Sequence, residues 1–216
     1  MKKLFFIFLG ISGLTAGFYL TLPGAGPLIT HNPSSTAFIE TKCQSHECPI
    51  DWIRLEKISP MLVKAVLLAE DPRFFEHNGF DWKNIGLALR INLKQGKIVW
   101  GGSSLTQQLA KNLFLTPQKT FLRKLKEILI TTKLEQTLTK NRILELYLNT
   151  AEWGPQIFGV AKASQYYFKK SPKELDAKEA AFLAAALPNP NLLQKGKIPK
   201  EFLAAGALLF ERLLKN

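Results

Sequence analysis

From residue 51 onward, apolar positions recur at helical spacing, and few stretches alternate strictly between apolar and polar residues. An almost wholly apolar run covers 61–69, directly after Ser59 and Pro60. Serine before a helix and proline at its first position are typical of a helix start. The pattern predicts a helix that is buried on all sides and a domain with few strands.

Capping residues predict where the other helices begin, because their side chains accept hydrogen bonds from the free N–H groups of the first turn. Gly96 ends the first of these helices, and Pro188 stops the helix of 177–187. We therefore predict one mostly helical domain over 51–195, with a C-terminal helix packed on it over 196–216. The predicted starts are Asp81, Ser104 with Gln107, Thr120, Thr139, Asp176 with Glu179, and Pro199.

The N-terminal segment has the pattern of a membrane anchor. Lys2 and Lys3 precede nineteen uncharged residues over 4–22, and a spanning helix needs about 20 apolar residues. We expect 1–30 to be a cytoplasmic start and an uncleaved transmembrane helix in the inner membrane, with the rest of the chain periplasmic. Small residues over 24–26 also permit the alternative of a cleaved signal peptide.

A composition rich in Pro, Gly, Ser, Thr and Asn predicts a linker over 31–50. Both cysteines of the chain, Cys43 and Cys48, lie in this segment. Outside the cytoplasm they would be able to form a disulfide across a short loop. Two free thiols fit the same spacing, so the sequence leaves both alternatives open.

The composition favours a folded protein with an anionic partner. Lys and Arg number 29 and Asp and Glu 17, which gives a formal net charge of +12. Such a surplus suits nucleic acid, an anionic membrane or a phosphorylated substrate. The apolar content of 46% argues against intrinsic disorder. Two cysteines and three scattered histidines argue against a Cys-rich miniprotein and a zinc site.

Glu70 stands at the end of the apolar helix, an unusual place for an acid. Burial and the negative end of the helix dipole both disfavour its charged form, and Asp71 adds a neighbouring carboxylate. A carboxyl group with a raised pKa suits general acid or base catalysis near neutral pH. A solvated helix end is the alternative interpretation of this pair.

An interval without acids separates Asp81 from Glu127 and contains nine bases. Arg123 and Glu127 lie one turn apart on a predicted helix, in line with apolar residues, which favours a partly buried cleft over a surface ion pair. The interval also contains the segment Gly-Gly-Ser-Ser-Leu-Thr-Gln-Gln over 101–108, followed by Lys111. A glycine-rich turn at a helix start suits phosphate or pyrophosphate, although Gly-Gly-Ser is also an ordinary linker.

Together these segments resemble glycosyltransferase family 51, the peptidoglycan glycosyltransferases. The likeness extends over about 50–190 and includes five motifs in the family's order. Because the sequence ends soon after the fifth motif, we expect the monofunctional branch, without a transpeptidase domain. The matching segments are 70–79 (Glu-Asp-x-x-Phe-x-x-His-x-Gly), 101–112 (Gly-Gly-Ser-Thr-Leu-Thr-Gln-Gln-Leu-x-Lys-Asn, with Ser104 for its usual Thr), 123–127, 142–149 with Gly154, Gly159, Tyr167 and Phe168, and 180–190.

The resemblance implies a lysozyme-like helical fold and polymerisation of lipid II, a disaccharide-pentapeptide on a polyprenyl pyrophosphate. Glu70 would be the general base, taking the proton of the acceptor's 4-hydroxyl. That oxygen attacks the anomeric carbon of the growing chain with inversion, and lipid pyrophosphate leaves. The leaving group needs cations, and the residues expected to bind it are Lys111, Arg123 and Lys124, with help from Ser104 and Gln108.

The resemblance also implies further site residues and partners. Glu127 would orient the donor or hold a divalent ion; no cofactor is required, and Mg or Mn is a candidate ion. Asp71, Phe74, His77 and Asn112 are expected in the substrate site, with a purely structural role as the alternative for His77. The expected partners are lipid II, the growing glycan chain, the membrane, and other cell-wall synthesis or division proteins, but not nucleic acid.

Basic and apolar residues mix over 85–100, as is typical of a segment at a membrane interface; an amphipathic core helix is the alternative. Two other function classes compete with glycan synthesis. A lysozyme-like lytic enzyme would also use carboxylates, but it needs no cationic donor pocket and leaves the basic interval unexplained. A membrane-anchored scaffold or nucleic-acid binder is disfavoured by the predicted location and by the lack of a DNA or RNA motif.

Overall fold

The computed structural model describes residues 17, 19–43, 48–97, 101–118, 120–193 and 200–215. This part of the chain is mostly helical, as predicted, and is consistent with a lysozyme-like helical domain. Short 3-10 helices lie at Gly26–Ile29, Leu55–Lys57, Pro172–Glu174 and Pro190–Leu193. The main elements are α1 (Ala37–Lys42), α2 (Pro60–Glu70), α3 (Trp82–Gln95), α4 (Leu105–Phe114), α5 (Phe121–Thr137), α6 (Lys140–Thr150), β1 (Glu152–Gly154), β2 (Ile157–Phe158), α7 (Val160–Phe168), α8 (Ala177–Ala186) and α9 (Lys200–Lys215).

The helix starts follow the capping residues. Thr120 and Thr139 accept hydrogen bonds from the third residue of α5 and of α6, and Asp176 forms a capping box with Glu179. Gly96 ends α3 in the left-handed conformation at φ 65°. These caps were predicted because a cap and its partner lie within a few residues of each other.

Ser59 precedes α2 as predicted, but its side chain does not cap the helix. Its hydroxyl instead donates to the backbone oxygen of Leu175 at 2.7 Å, and its backbone N–H donates to Pro172 O at 2.9 Å. The residue therefore fastens the start of α2 to the turn that leads into α8.

The hydrophobic core lies where α2, α4, α6 and α8 meet. α2 packs along α8, α4 packs against α5 and α6, and α9 covers α8 and α2. Leu62, Leu109, Leu146 and Leu183, one from each of the four central helices, are fully buried. Among the described residues the only sheet is the antiparallel pair β1–β2, which agrees with the predicted low strand content.

The segment predicted as a linker contains α1, which packs against α4. Thr36 caps α1 and Ile39 is buried beneath it. Cys43 and Cys48 form a disulfide directly after α1, which decides between the two alternatives that the sequence left open. The loop residues 44–47 lie outside the described part of the chain.

Residues before α1 contact the domain through their backbone. Lys133 donates to Leu22 O at 2.8 Å, and Arg142 donates to Leu28 O at 2.8 Å and to His31 O at 2.9 Å. No helix in the described ranges has the length and apolar character of a membrane span. Most of the predicted anchor over 4–22 lies outside those ranges, so the anchor stays a prediction.

Candidate active site

Glu70 is the last residue of α2 and is half-buried. Its Oε2 accepts a hydrogen bond from Gln108 Nε2 at 2.6 Å, whereas its Oε1 is shielded from solvent and has no partner within the described chain. Burial raises the pKa of Glu70 above its ordinary value, and Asp71 adds to the rise; Gln108 and Lys111 oppose it. The raised pKa expected from the sequence is confirmed, and it suits a group that takes up a proton near neutral pH.

Gln108 connects Glu70 to a buried phenol. The hydroxyl of Tyr147, on α6, donates to Gln108 Oε1 at 3.1 Å. From the resemblance we expected Gln108 to assist the leaving group. The structure joins its amide to Glu70 instead, while the side chain also borders the neighbouring cavities.

Asp71, Phe74 and His77 stabilise the segment that follows Glu70 and hold it against α4. His77 Nε2 donates to both carboxylate oxygens of Asp71 at 3.0 Å, and the N–H of Leu105 at the start of α4 donates to Asp71 Oδ2 at 3.0 Å. Phe74 is 1% exposed and lies under the Lys140 ammonium, which is 4.4 Å from the ring centroid. This geometry favours a structural role for His77 and holds the end of α2 against α4.

Ser104 also has a structural arrangement. Its hydroxyl accepts from the N–H of Gln107, which completes the predicted capping box, and donates to Gly79 O. Gly79 needs its left-handed conformation (φ 88°) there, and an added Cβ would lie 2.8 Å from Thr131 Cγ2. The phosphate role expected for Ser104 stays a prediction; the neighbouring Ser103 accepts a hydrogen bond from Lys124 at 3.3 Å.

Three cations surround a cavity of about 270 Å³ beside this loop. Arg123 Nη1 donates to Glu127 Oε2 at 2.7 Å, and Lys124 Nζ donates to Glu127 Oε1. Lys111 completes the set, and burial lowers its pKa, with Glu127 acting in the opposite direction. With three cations against one carboxylate, the cavity suits a diphosphate group. We call it the cation pocket.

A second cavity of about 270 Å³ shares Gln108 and Lys111 with the cation pocket. Its wall includes Asn112, as expected for a substrate-site residue, and Tyr147. Glu70 borders neither cavity directly and meets them through Gln108. The structure therefore brings Gln108, Lys111, Asn112, Arg123, Lys124 and Glu127 to one cleft and places Asp71, Phe74, His77 and Ser104 in its support.

The family described as Transglycosylase matches residues 38–213. The chain belongs to this transglycosylase family. The relatives it resembles include proteins named biosynthetic peptidoglycan transglycosylase from Alcanivorax borkumensis, 49% identical over 75% of this chain and 66% of that protein, and from Chromobacterium violaceum, 48% identical over 74% and 73%. A protein of the same name from Methylobacillus flagellatus is 41% identical over 86% of this chain and 84% of its own length.

Within this transglycosylase domain, α1 supplies two cleft residues that the sequence analysis missed. Phe38 lines both cavities and lies under Lys111, whose Nζ is 5.7 Å from the ring centroid. Lys42 lines the second cavity and pairs with Glu152 at 3.3 Å. The polar composition of the segment predicted a linker, but the cap at Thr36 was a signal for a helix.

Two carboxylate sites are candidates for a metal ion. The ligand atoms of Asp71, His77 and Asp81 lie within 4.8 Å of one another. However, Asp81 accepts from Arg73 and from Asn84 N, and Asp71 is bound as described above. Both oxygens of Glu127 are likewise engaged by cations. A divalent ion would have to displace protein donors at either place.

Proposed function

We propose that the chain polymerises lipid II by inverting transfer, with Glu70 as the general base. Family membership makes it a peptidoglycan glycosyltransferase of cell-wall synthesis. The observation that carries the assignment of roles is one turn of α4. Gln108 on this turn binds Glu70, and Lys111 on the same turn lies in the cation pocket. A proton acceptor and a diphosphate site are thereby held at a fixed separation on a rigid element.

The base step is assigned to Glu70 Oε1, which has no hydrogen-bond partner in the described part of the chain. The acceptor's 4-hydroxyl gives its proton to Oε1 as its oxygen forms a bond to the anomeric carbon of the donor sugar. The bond from that carbon to the pyrophosphate oxygen breaks on the opposite face, and the electron pair leaves with the polyprenyl pyrophosphate. Inversion results from this single displacement.

The cation pocket supports the departure of the pyrophosphate. Negative charge grows on the leaving oxygen, and the cations that would stabilise it are Lys111, Arg123 and Lys124, which line the pocket. Glu127 holds two of them by ion pairs, so its role here is to orient the donor site through these cations. Since its oxygens are engaged, we derive the reaction without a divalent ion; a polymerisation assay in excess EDTA tests whether Mg or Mn is needed.

An apolar surface beside the cation pocket suits a lipid. A groove of about 500 Å³ lies between α3 and α5 and shares Ser103 and Lys124 with the cation pocket. Trp82 on α3 and Phe121 on α5 are 74% and 87% exposed. We propose that this face meets the membrane and that the polyprenyl chain leaves along the groove.

We also propose that 1–30 anchors the domain in the inner membrane with the catalytic part on the periplasmic side. The disulfide Cys43–Cys48 supports this location, because disulfides persist in oxidising compartments. Protease protection in intact spheroplasts tests it. Protease added outside the spheroplasts should remove the domain and leave a short membrane fragment. A domain that stays protected would contradict this orientation.

Substrate choice separates synthesis from lysis. Purified protein is given lipid II in one reaction and finished glycan strands in another, and products are resolved by chain length. We expect consumption of lipid II with release of polyprenyl pyrophosphate, and no shortening of finished strands. Cleavage of the strands, with lipid II left intact, would favour the lytic alternative.

A further inference from the structure

Tyr147 is a buried group that the reaction as described does not use. It lies on α6 and is 1% exposed, with its hydroxyl hydrogen directed at Gln108 Oε1. Burial raises the pKa of this phenol well above its ordinary value, and Glu70 and Asp71 act in the same direction. The phenol therefore keeps its proton at neutral pH and remains a hydrogen-bond donor.

The donor character of Tyr147 determines which way the Gln108 amide faces. A carboxylate only accepts hydrogen bonds, so the amide NH₂ must face an ionised Glu70 and its oxygen must face away. In the flipped amide, the NH₂ would meet the phenol, and the phenol O–H would lose its acceptor. A buried donor without an acceptor is costly, so the phenol favours the amide orientation that supports the carboxylate.

We propose that Tyr147 is a positioning residue for the transfer: through Gln108 it fixes an amide donor on Glu70 Oε2 and so leaves Oε1 as the oxygen that receives the acceptor's proton. This inference rests on the proposed role of Glu70. The distances of 3.1 Å and 2.6 Å along Tyr147, Gln108 and Glu70 carry it.

The other groups around Glu70 do not replace this support. Lys111 on α4 favours the carboxylate, and Asp71 disfavours it. The buried side chains of α8, which packs along α2, are all alanine or leucine. Gln108 is thus the hydrogen-bond donor to Glu70 in the described chain, and Tyr147 is the group that orients it.

Tyr147→Phe removes only the hydroxyl and is the primary test. Without the hydrogen bond from Tyr147, the Gln108 amide samples both orientations. The Glu70 carboxylate then loses part of its hydrogen-bond support. Glu70 must be ionised to act as a base, so we expect kcat/KM for lipid II to fall by roughly threefold to tenfold on the acidic side of the pH profile. The loss should shrink as the pH rises and Glu70 ionises fully.

A matched control and a double-mutant cycle distinguish positioning from a structural effect. Tyr167→Phe removes a phenol whose hydroxyl contacts Trp153 O at 3.5 Å, away from the cleft, and should leave the profile unchanged. Gln108→Met should itself weaken the acidic side, and adding Tyr147→Phe to it should cause no further loss. Thermal unfolding of each variant checks that the fold is intact.

Each outcome contradicts either the positioning role of Tyr147 or the proposed base. An unchanged profile for Tyr147→Phe, or the same loss in the Gln108→Met background, would overturn the positioning role. If Tyr147→Phe does not fold, Gln108→Met alone decides. An acidic side of the kcat/KM profile that stays unshifted in Gln108→Met refutes the positioning role. Retained polymerisation by Glu70→Gln would instead remove the proposed base, whatever the Tyr147 variants show.

Discussion

Two carboxylates of the candidate site, Glu70 and Glu127, have opposite surroundings. Glu70 ends an apolar helix, receives one hydrogen bond from an amide and has one oxygen without a partner among the described residues. Glu127 is 3% exposed, and each of its oxygens is bound to a cation. Glu70 therefore keeps one oxygen that can accept a further hydrogen bond, whereas both oxygens of Glu127 are already engaged. The contrast supports the proposal that Glu70 transfers the proton and that Glu127 positions the cations.

The most drastic way to test the comparison is Glu70→Gln. The amide has the same shape but takes up no proton, so we expect polymerisation of lipid II to fall by roughly 10²- to 10⁴-fold, the usual contribution of a general base. Chain-length analysis of the products measures this loss. Glu76→Gln changes an exposed acid in the segment that follows α2 and is the matched control; comparable activity in both variants would refute the assignment.

Glu127→Gln should have a smaller effect of a different kind. Breaking its charge-assisted hydrogen bonds costs about 1.5–3 kcal/mol, which corresponds to roughly a 10- to 100-fold loss in kcat/KM. The cations remain but are no longer fixed, so we expect the acidic side of the pH profile to keep its position. A profile shifted in pH would mean that Glu127 takes part in proton transfer.

The disulfide offers a milder test of the cation pocket, because it lies directly after α1, which contacts Lys111 through Phe38. Replacing both cysteines, Cys43→Ser with Cys48→Ser, removes a crosslink of about 2 kcal/mol for so short a loop. Because α1 brings Phe38 under Lys111, we expect KM for lipid II to rise by a few-fold. The pH dependence set by Glu70 should stay unchanged. Equal kinetics with and without the disulfide would show that α1 docks independently of it.

Local signals explain what the sequence predicted well. The caps at Thr120 and Asp176 act within one helical turn, and Glu70 stood out because an acid at the end of an apolar run is visible in the sequence itself. The cations of the cleft were likewise evident from the basic interval and from the family motifs.

Contacts distant in the sequence explain what it missed. Ser59 donates to a residue 116 positions away, so its capping role was wrongly predicted from its neighbours alone. Gln108 is 38 residues from Glu70 and 39 from Tyr147, and nothing local indicates that its amide joins the two. The polar composition around α1 hid the helix that carries Phe38.

The smallest expected effect concerns stability and tests the buried state of Glu70 without any substrate. A carboxyl group whose pKa is raised by folding favours the folded state while it is protonated, and this contribution is lost as the pH rises through the raised pKa. Glu70→Gln has no such titration. We therefore expect the free energy of unfolding of the wild type, relative to Glu70→Gln, to decrease as the pH rises above 4.5, the ordinary pKa of the group. Urea titrations of both proteins across this range measure the difference; a constant difference would mean that Glu70 is solvated like an ordinary surface acid, and the contrast with Glu127 would then lose its basis.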